Sequence, residues 1–221
     1  MVPQPATSML RLSRYGSCGQ KDSNWEGGWR VPCFIRWPGK IKAGSVLNGV
    51  VSHIDMFPTL LAIAGNPDVT QQLLDGCTVD GKPFHVHLDG YNMVPYLTGQ
   101  VAESPRNAIM YFSDDGDVIA VRVGDWKFHL AVQRANTMRQ WAEPFVKLRL
   151  PYIVSLRRDP FERAEFNSNT YLDWMVDHVP QMYQMQAVVA SAIADFAKFP
   201  PRQKPAAFNL DAVLAQVTHH G

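Results

Sequence analysis

The chain has 221 residues, 46% of them hydrophobic and 19% charged, with a formal net charge of +1, the profile of an ordinary globular protein with a sizeable core. So small a net charge excludes the broad field that attracts nucleic acid or an anionic membrane, and any charge recognition must be local. The three cysteines, Cys18, Cys33 and Cys77, are odd in number and lack C-x-x-C spacing, which argues against a disulfide framework or a cysteine-based zinc site.

Residues 1–20, "MVPQPATSMLRLSRYGSCGQ", carry no periodicity and no apolar h-region. They are expected to form a loose, poorly ordered leader rather than a secretory signal, which makes cytoplasmic the default compartment. No run of about 18 apolar residues offers a membrane span. The apolar run "VPCFIRW", closed by Pro-Gly, predicts a buried strand over 31–37 with Cys33 in the core. In "SHIDMFPTLLAIAGNP" the period changes. Asp55 can cap, Pro58 falls in the first turn, and Leu60, Leu61 and Ile63 precede a terminating Gly65, so a helix with both ends marked is predicted.

Residues 66–105 are rich in Gly, Pro and Asp, with a candidate strand at "FHVHL". Then "NAIMYF", "DVIAVRV" and "WKFHLAV", separated by "SDDGD" and "GD", predict an antiparallel meander to which "IVSL" can add a strand. From Thr170 to Phe199, Leu172, Met175, Val179, Met182, Val189, Ile193 and Phe196 recur every three or four residues. That spacing predicts a long helix, kinked at Pro180 and stopped by "PPRQKP". The whole is an α/β-type portion followed by an α+β lobe.

Chemical motifs are sparse. "GCTVDGK" approaches a P-loop, but Pro83 replaces the Ser/Thr and the following residues alternate like a strand, where phosphate binding needs a helix N-terminus. His85 and His87 share a strand face without a third ligand at a convincing distance. Asp114, Asp115 and Asp117 around Gly116 lack the ligand spacing of a calcium loop and read as a hairpin tip. Asp173, Asp177 and His178 read as a solvated helix face. Spacing alone yields no catalytic constellation and no metal site.

Several segments together resemble the sulfatase family, specifically the carboxyl-terminal part of an arylsulfatase with the alkaline-phosphatase-like fold. They are "KDSNWEGGWRVPCFIRWPGKIKAGSV", "VVSHIDMFPTLLAIAG", "HLDGYNMVPYLTG", "YFSDDGDVIAVRVGDWKF" and "SLRRDPFERAEFNSN". The resemblance implies the end of the α/β catalytic domain over 21–105, and over 106–221 a smaller lobe with an antiparallel sheet and a long kinked helix. It gives Lys21, five residues ahead of Glu26-Gly27-Gly28, the role of sulfate contact. An ammonium there stabilises charge on the departing oxygen. Trp25, Asp114, Asp115 and Trp126 are expected on the substrate rim, Trp29 is a further candidate for an aryl pocket, and Glu26 with Arg30 is expected to form a structural ion pair.

In the family the nucleophile is a formylglycine made from a C/S-x-P-x-R motif, and a divalent cation, usually calcium, clamps the sulfate. No cysteine or serine here begins that motif, and no carboxylate lies in "RLSRYGSCGQ" ahead of Lys21. The expectation is therefore a carboxyl-terminal fragment of a sulfuric ester hydrolase, inactive alone and without a cofactor of its own. Its partners would be a sulfate ester and a missing amino-terminal half. The alternative is a non-catalytic module docking on a separate sulfatase half or subunit, and a full-length parent could be periplasmic or secreted.

Overall fold

The computed structural model describes residues 21–135 and 137–200; the expected leader over 1–20 and Cys18 lie outside them. Among the described residues, chain order begins with the short helix α1 (Glu26–Trp29), a 3-10 turn (His53–Asp55), α2 (Met56–Ile63) and α3 (Val69–Asp75). A small hairpin, β1 (Cys77–Val79) and β2 (Lys82–Phe84), and α4 (Val94–Leu97) complete the first part. The central sheet follows as β3 (Ala108–Phe112), β4 (Val118–Val123), β5 (Trp126–Val132) and β6 (Val146–Ser155), with a 3-10 turn (Thr137–Trp141) between the last two. The helices α5 (Ala164–Asn167), α6 (Tyr171–Asp177) and α7 (Met182–Lys198) complete the described residues.

The predicted meander forms as an antiparallel sheet in the order β3-β4-β5-β6. Its tight β4–β5 turn uses the left-handed Gly124, φ 55°, as a two-residue hairpin requires. Of "IVSL", the first three residues are the end of the ten-residue β6 and Leu156 lies just past it. The P-loop-like "GCTVDGK" is the β1–β2 hairpin, with Asp80 and Gly81 both at positive φ, and of "FHVHL" only Phe84 is strand.

The predicted 170–199 helix is three pieces: α6, a 3-10 turn at Val179–Gln181, and α7. Pro180 lacks the N–H that would continue the ladder, so the break falls there. The helices cover one sheet face, where Val121, Phe128, Ile153, Tyr171, Met175 and Met185 are buried together. Each such side chain contributes about 1.5–3 kcal/mol by leaving water. The Tyr171 hydroxyl fastens α6 to β6 by donating to the Ile153 carbonyl at 3.0 Å and accepting its N–H at 3.1 Å.

Residues 31–37 correct the reading of a buried strand. They have no ladder partner among the described residues, and Val31 is 55% and Phe34 91% exposed. Cys33 is exposed as well. Apolar character makes a strand only where a neighbour can satisfy its backbone groups. α2 does form as predicted, but Asp55 acts one turn earlier than a simple cap. Its carboxylate accepts the Ser52 N–H at 2.8 Å and the Tyr91 N–H at 2.8 Å. Fully buried, it is also gripped by Arg106, whose Nε and Nη2 donate to its two oxygens at 2.8 and 2.6 Å. This bidentate pair locks α2, the loop before α4 and the entry to β3 into one unit.

Candidate functional site

Strand alternation gives β4 and β5 two different faces. Opposite the helices stand Arg122, Lys127 and His129, with Arg122 directly across from Lys127 in register and Ala120 across from His129. Lys127 and His129 are fully buried, because the segment from Ser23 to Glu26 and the loop bearing Glu162 close over them. Lys127 Nζ lies 2.9 Å from Glu26 Oε1 and 3.1 Å from Glu162 Oε1. Arg122 Nη1 adds a pair to Glu26 at 3.0 Å, and the Tyr111 hydroxyl donates to Glu26 at 2.8 Å. The Glu26 N–H donates to Glu162.

His129 is neutral in this arrangement. Asn24 Nδ2 donates to its Nδ1 at 2.7 Å, so Nε2 carries the proton and donates to Glu162 at 2.9 Å. Burial is the largest influence on the imidazole and holds its pKa below the usual value despite Glu162. Burial pushes both carboxyls up, but Lys127 and Arg122 together leave Glu26 below its ordinary range, while Lys127 and His129 bring Glu162 down to about 2. Two carboxylates thus face two cations in a dry interior, a balanced set in which no member can leave cheaply.

The anchored segment carries Lys21 at its start. Beside Lys21, Asp22 at φ 65° turns the chain into a cleft of about 260 Å³, walled by Trp29, Phe112, Trp141 and Phe145, with Asp114 at its edge. Trp29 is held by two contacts. Its Nε1 donates to the Ser23 carbonyl at 2.6 Å, and its ring meets Tyr111 edge-to-face at 4.9 Å.

Lys21, expected as the sulfate contact, and Trp29, the further aryl-pocket candidate, line this cleft; of the four residues expected on the rim only Asp114 does. Trp25 is 5% exposed, packed against His129 at 4.5 Å and Phe166 at 6.0 Å; its ring faces the network. Trp126 stacks on Trp174 at 6.1 Å, on the helix-covered side of the sheet. Asp115 is exposed at the hairpin tip, and Asp117 pairs with Lys147 at 3.3 Å. The expected Glu26–Arg30 pair is replaced by Glu26 with Lys127 and Arg122. Sequence reasoning missed Trp141 and the buried network; the alternation of Lys127 and His129 with Trp126 and Phe128 was its one visible signal.

His87 pairs with Asp89 at 3.3 Å, and His178 stacks on Trp174 at 4.2 Å. Among the described residues no three His, Cys, Asp or Glu side chains converge on a metal position, so these residues do not fit the calcium that the resemblance implies. Nor is any helix among them long and apolar enough to cross a membrane.

The sulfatase family model matches residues 10–66, the stretch that carries Lys21, the Glu26-Gly27-Gly28 turn and α2. Arylsulfatase A of Homo sapiens is 32% identical over 168 residues, covering 69% of this chain. The chain belongs to the sulfatase family. N-acetylgalactosamine-6-sulfatase of Canis lupus familiaris is 29% identical over 188 residues and 76% of this chain. This sulfatase chain also superposes on the crystal structure of PsFucS1 sulfatase from Pseudoalteromonas sp., with a TM-score of 0.63 and 26% identity over 84% of its length. It therefore shares the alkaline-phosphatase-like fold of these enzymes. The chain spans about a third of these relatives, 30% of arylsulfatase A, 32% of N-acetylgalactosamine-6-sulfatase and 34% of PsFucS1.

Proposed function

We propose that this chain is the carboxyl-terminal portion of a sulfuric ester hydrolase and contributes its lysine contact to sulfate. The observation that carries the reading is Lys21 at an aromatic-walled cleft, on a segment fixed by a buried ion network. An ammonium carried on that segment can meet a sulfate monoester's oxygens and stabilise charge on the departing oxygen, an effect worth roughly 10²–10³ in rate for one such group. The parent reaction would be hydrolysis of an aryl or alkyl sulfate ester to sulfate and a phenol or alcohol. The 221 residues contain no C/S-x-P-x-R sequence, so the activated nucleophile must come from elsewhere and the chain alone is inactive.

The test is hydrolysis of a chromogenic aryl sulfate with calcium, at catalytic and near-stoichiometric protein, alongside binding of the same ester. Absence of turnover with binding that weakens in Lys21→Ala is the expected result. Turnover abolished by Lys21→Ala would refute the inactive-portion reading, and binding indifferent to Lys21→Ala would refute the sulfate contact.

A second reading, a module that docks on a separate sulfatase polypeptide, is favoured by one observation. Phe34, Phe57 and Leu60, at 91%, 53% and 61% exposure, leave apolar surface within the matched segment uncovered. Concentration-dependent association in size-exclusion chromatography would support docking; a monomer at every concentration, with no complex on adding a sulfatase polypeptide that contains the nucleophile motif, would refute it.

A further inference from the structure

The cleft beside Lys21 has a feature that the sulfate contact does not require. Trp29 and Trp141 come from separate elements, α1 and the 3-10 turn that follows β5, and both line the same cleft. They are 45% and 59% exposed, while their neighbour Trp25 is 5% exposed. A solvent-facing tryptophan is ordinarily loose, but Trp29 is fixed by its bond to the Ser23 carbonyl and by its edge-to-face contact with Tyr111. Tyr111 in turn is tied to Glu26 and so to the buried network. An aromatic face held rigid while left uncovered is a pre-organised surface for a ring, because the ordering cost has been met before any ligand arrives.

Charge narrows the ligand further. One cation, Lys21, stands among the cleft-lining residues with two carboxylates, Asp22 and Asp114. The two acids are close enough that the charge of Asp114 adds to burial in raising the Asp22 pKa. Asp117, farther along the hairpin, is paired with Lys147. Lys21 offers one contact to an anion against two carboxylates, so each further anion on the same molecule meets only repulsion.

We infer that Trp29 and Trp141 form a specificity-determining site for the ring of a ring-bearing sulfate monoester, one whose organic part carries no second negative charge. This rests on the reading of Lys21 as the sulfate contact. Trp29 presents its fixed face to the ring and Trp141 closes over it from the opposite element. Asp22 and Asp114 turn away disulfated or carboxylated esters and can accept hydrogen bonds from ring hydroxyls.

The experiment measures the affinity of the full chain, by calorimetry and tryptophan fluorescence, for three probes: a phenyl monosulfate, an alkyl monosulfate of similar size, and a benzene disulfate. A cyclohexyl or pyranosyl monosulfate as a fourth separates a flat aromatic ring from a saturated one. Wild type should favour the phenyl monosulfate over the disulfate. Trp141→Leu and Trp29→Leu should each weaken the phenyl ester by about threefold to tenfold while changing the alkyl ester less than twofold. Trp141→Leu, at an exposed position, keeps the test sound if Trp29→Leu perturbs the fold, and thermal melts accompany each variant.

Equal binding of the phenyl ester by wild type and a folded Trp141→Leu, with binding lost in Lys21→Ala, would overturn the aromatic site and leave the Lys21 reading standing. So would a disulfate bound as well as the monosulfate overturn the charge selection. Ring-dependent binding that survives Lys21→Ala would overturn the Lys21 reading but not the aromatic site. No saturable binding of any probe at millimolar concentration would overturn both.

Discussion

Replacing Lys127 by Met tests whether the buried network holds the segment that carries Lys21. Lys127 is fully buried and contacts Glu26 at 2.9 Å and Glu162 at 3.1 Å. Without its ammonium, Glu26 keeps Arg122 and the Tyr111 hydroxyl, but Glu162 keeps only neutral donors, the His129 ring and the Glu26 N–H. Breaking a buried pair from one side costs about 3–5 kcal/mol, since the abandoned charge stays in a dry interior. Met fills much of the volume of Lys, so little of that loss is cavity. Urea unfolding followed by tryptophan fluorescence at pH 7 should show it.

The double variant Lys127→Met/Glu162→Gln removes the orphaned charge and should recover at least about 1.5 kcal/mol relative to additivity. The deficit of the single variant should also narrow in acid, where protonating Glu162 relieves it. A loss below about 1 kcal/mol, or a deficit independent of pH, would refute the claim that these charges are buried and mutually dependent.

Acid should destabilise the wild-type chain in two overlapping steps. The His129 pKa is held below 6.5 when folded, so the unfolded chain binds that proton first and stability declines as pH falls below about 6.5. Glu162 moves from 4.5 to about 2, so its contribution, about 3 kcal/mol, is complete above pH 5 and lost between there and pH 2. Urea midpoints unchanged from pH 7 to pH 3.5 would contradict both. Arg106→Ala should cost about 3–5 kcal/mol by leaving the fully buried Asp55 to two backbone donors, and Arg106→Ala/Asp55→Asn should cost less than the two single changes summed. Gly90→Ala should destabilise by about 1–3 kcal/mol, because its Cβ would run into the Ile54 carbonyl oxygen, a backbone atom that cannot swing aside. Gly116→Ala meets open space but sits at φ 83°, so thermal melts should show a smaller loss of about 1 kcal/mol.

Local pattern by itself determined the elements whose partners are near in sequence. The meander strands, the Gly124 turn, α2 between its end signals, and the break at Pro180 all follow from periodicity and backbone chemistry acting within a few residues. The motif around Lys21 carried the family. Tertiary structure decided what covers what. Residues 31–37 have the composition of a buried strand, yet strand formation depends on a neighbour that no local pattern supplies. Lys127 and His129 look like the solvent face of a half-buried strand; they are interior because Glu26, about a hundred residues upstream, and Glu162 arrive with matching charges. The same closure buried Trp25 and left Trp29 partly uncovered, although they are only four positions apart in the sequence. Which tryptophan packs and which faces the cleft depends on what stands opposite each ring, His129 and Phe166 against Trp25, and only the edge-to-face Tyr111 against Trp29, and that is fixed only when distant segments meet.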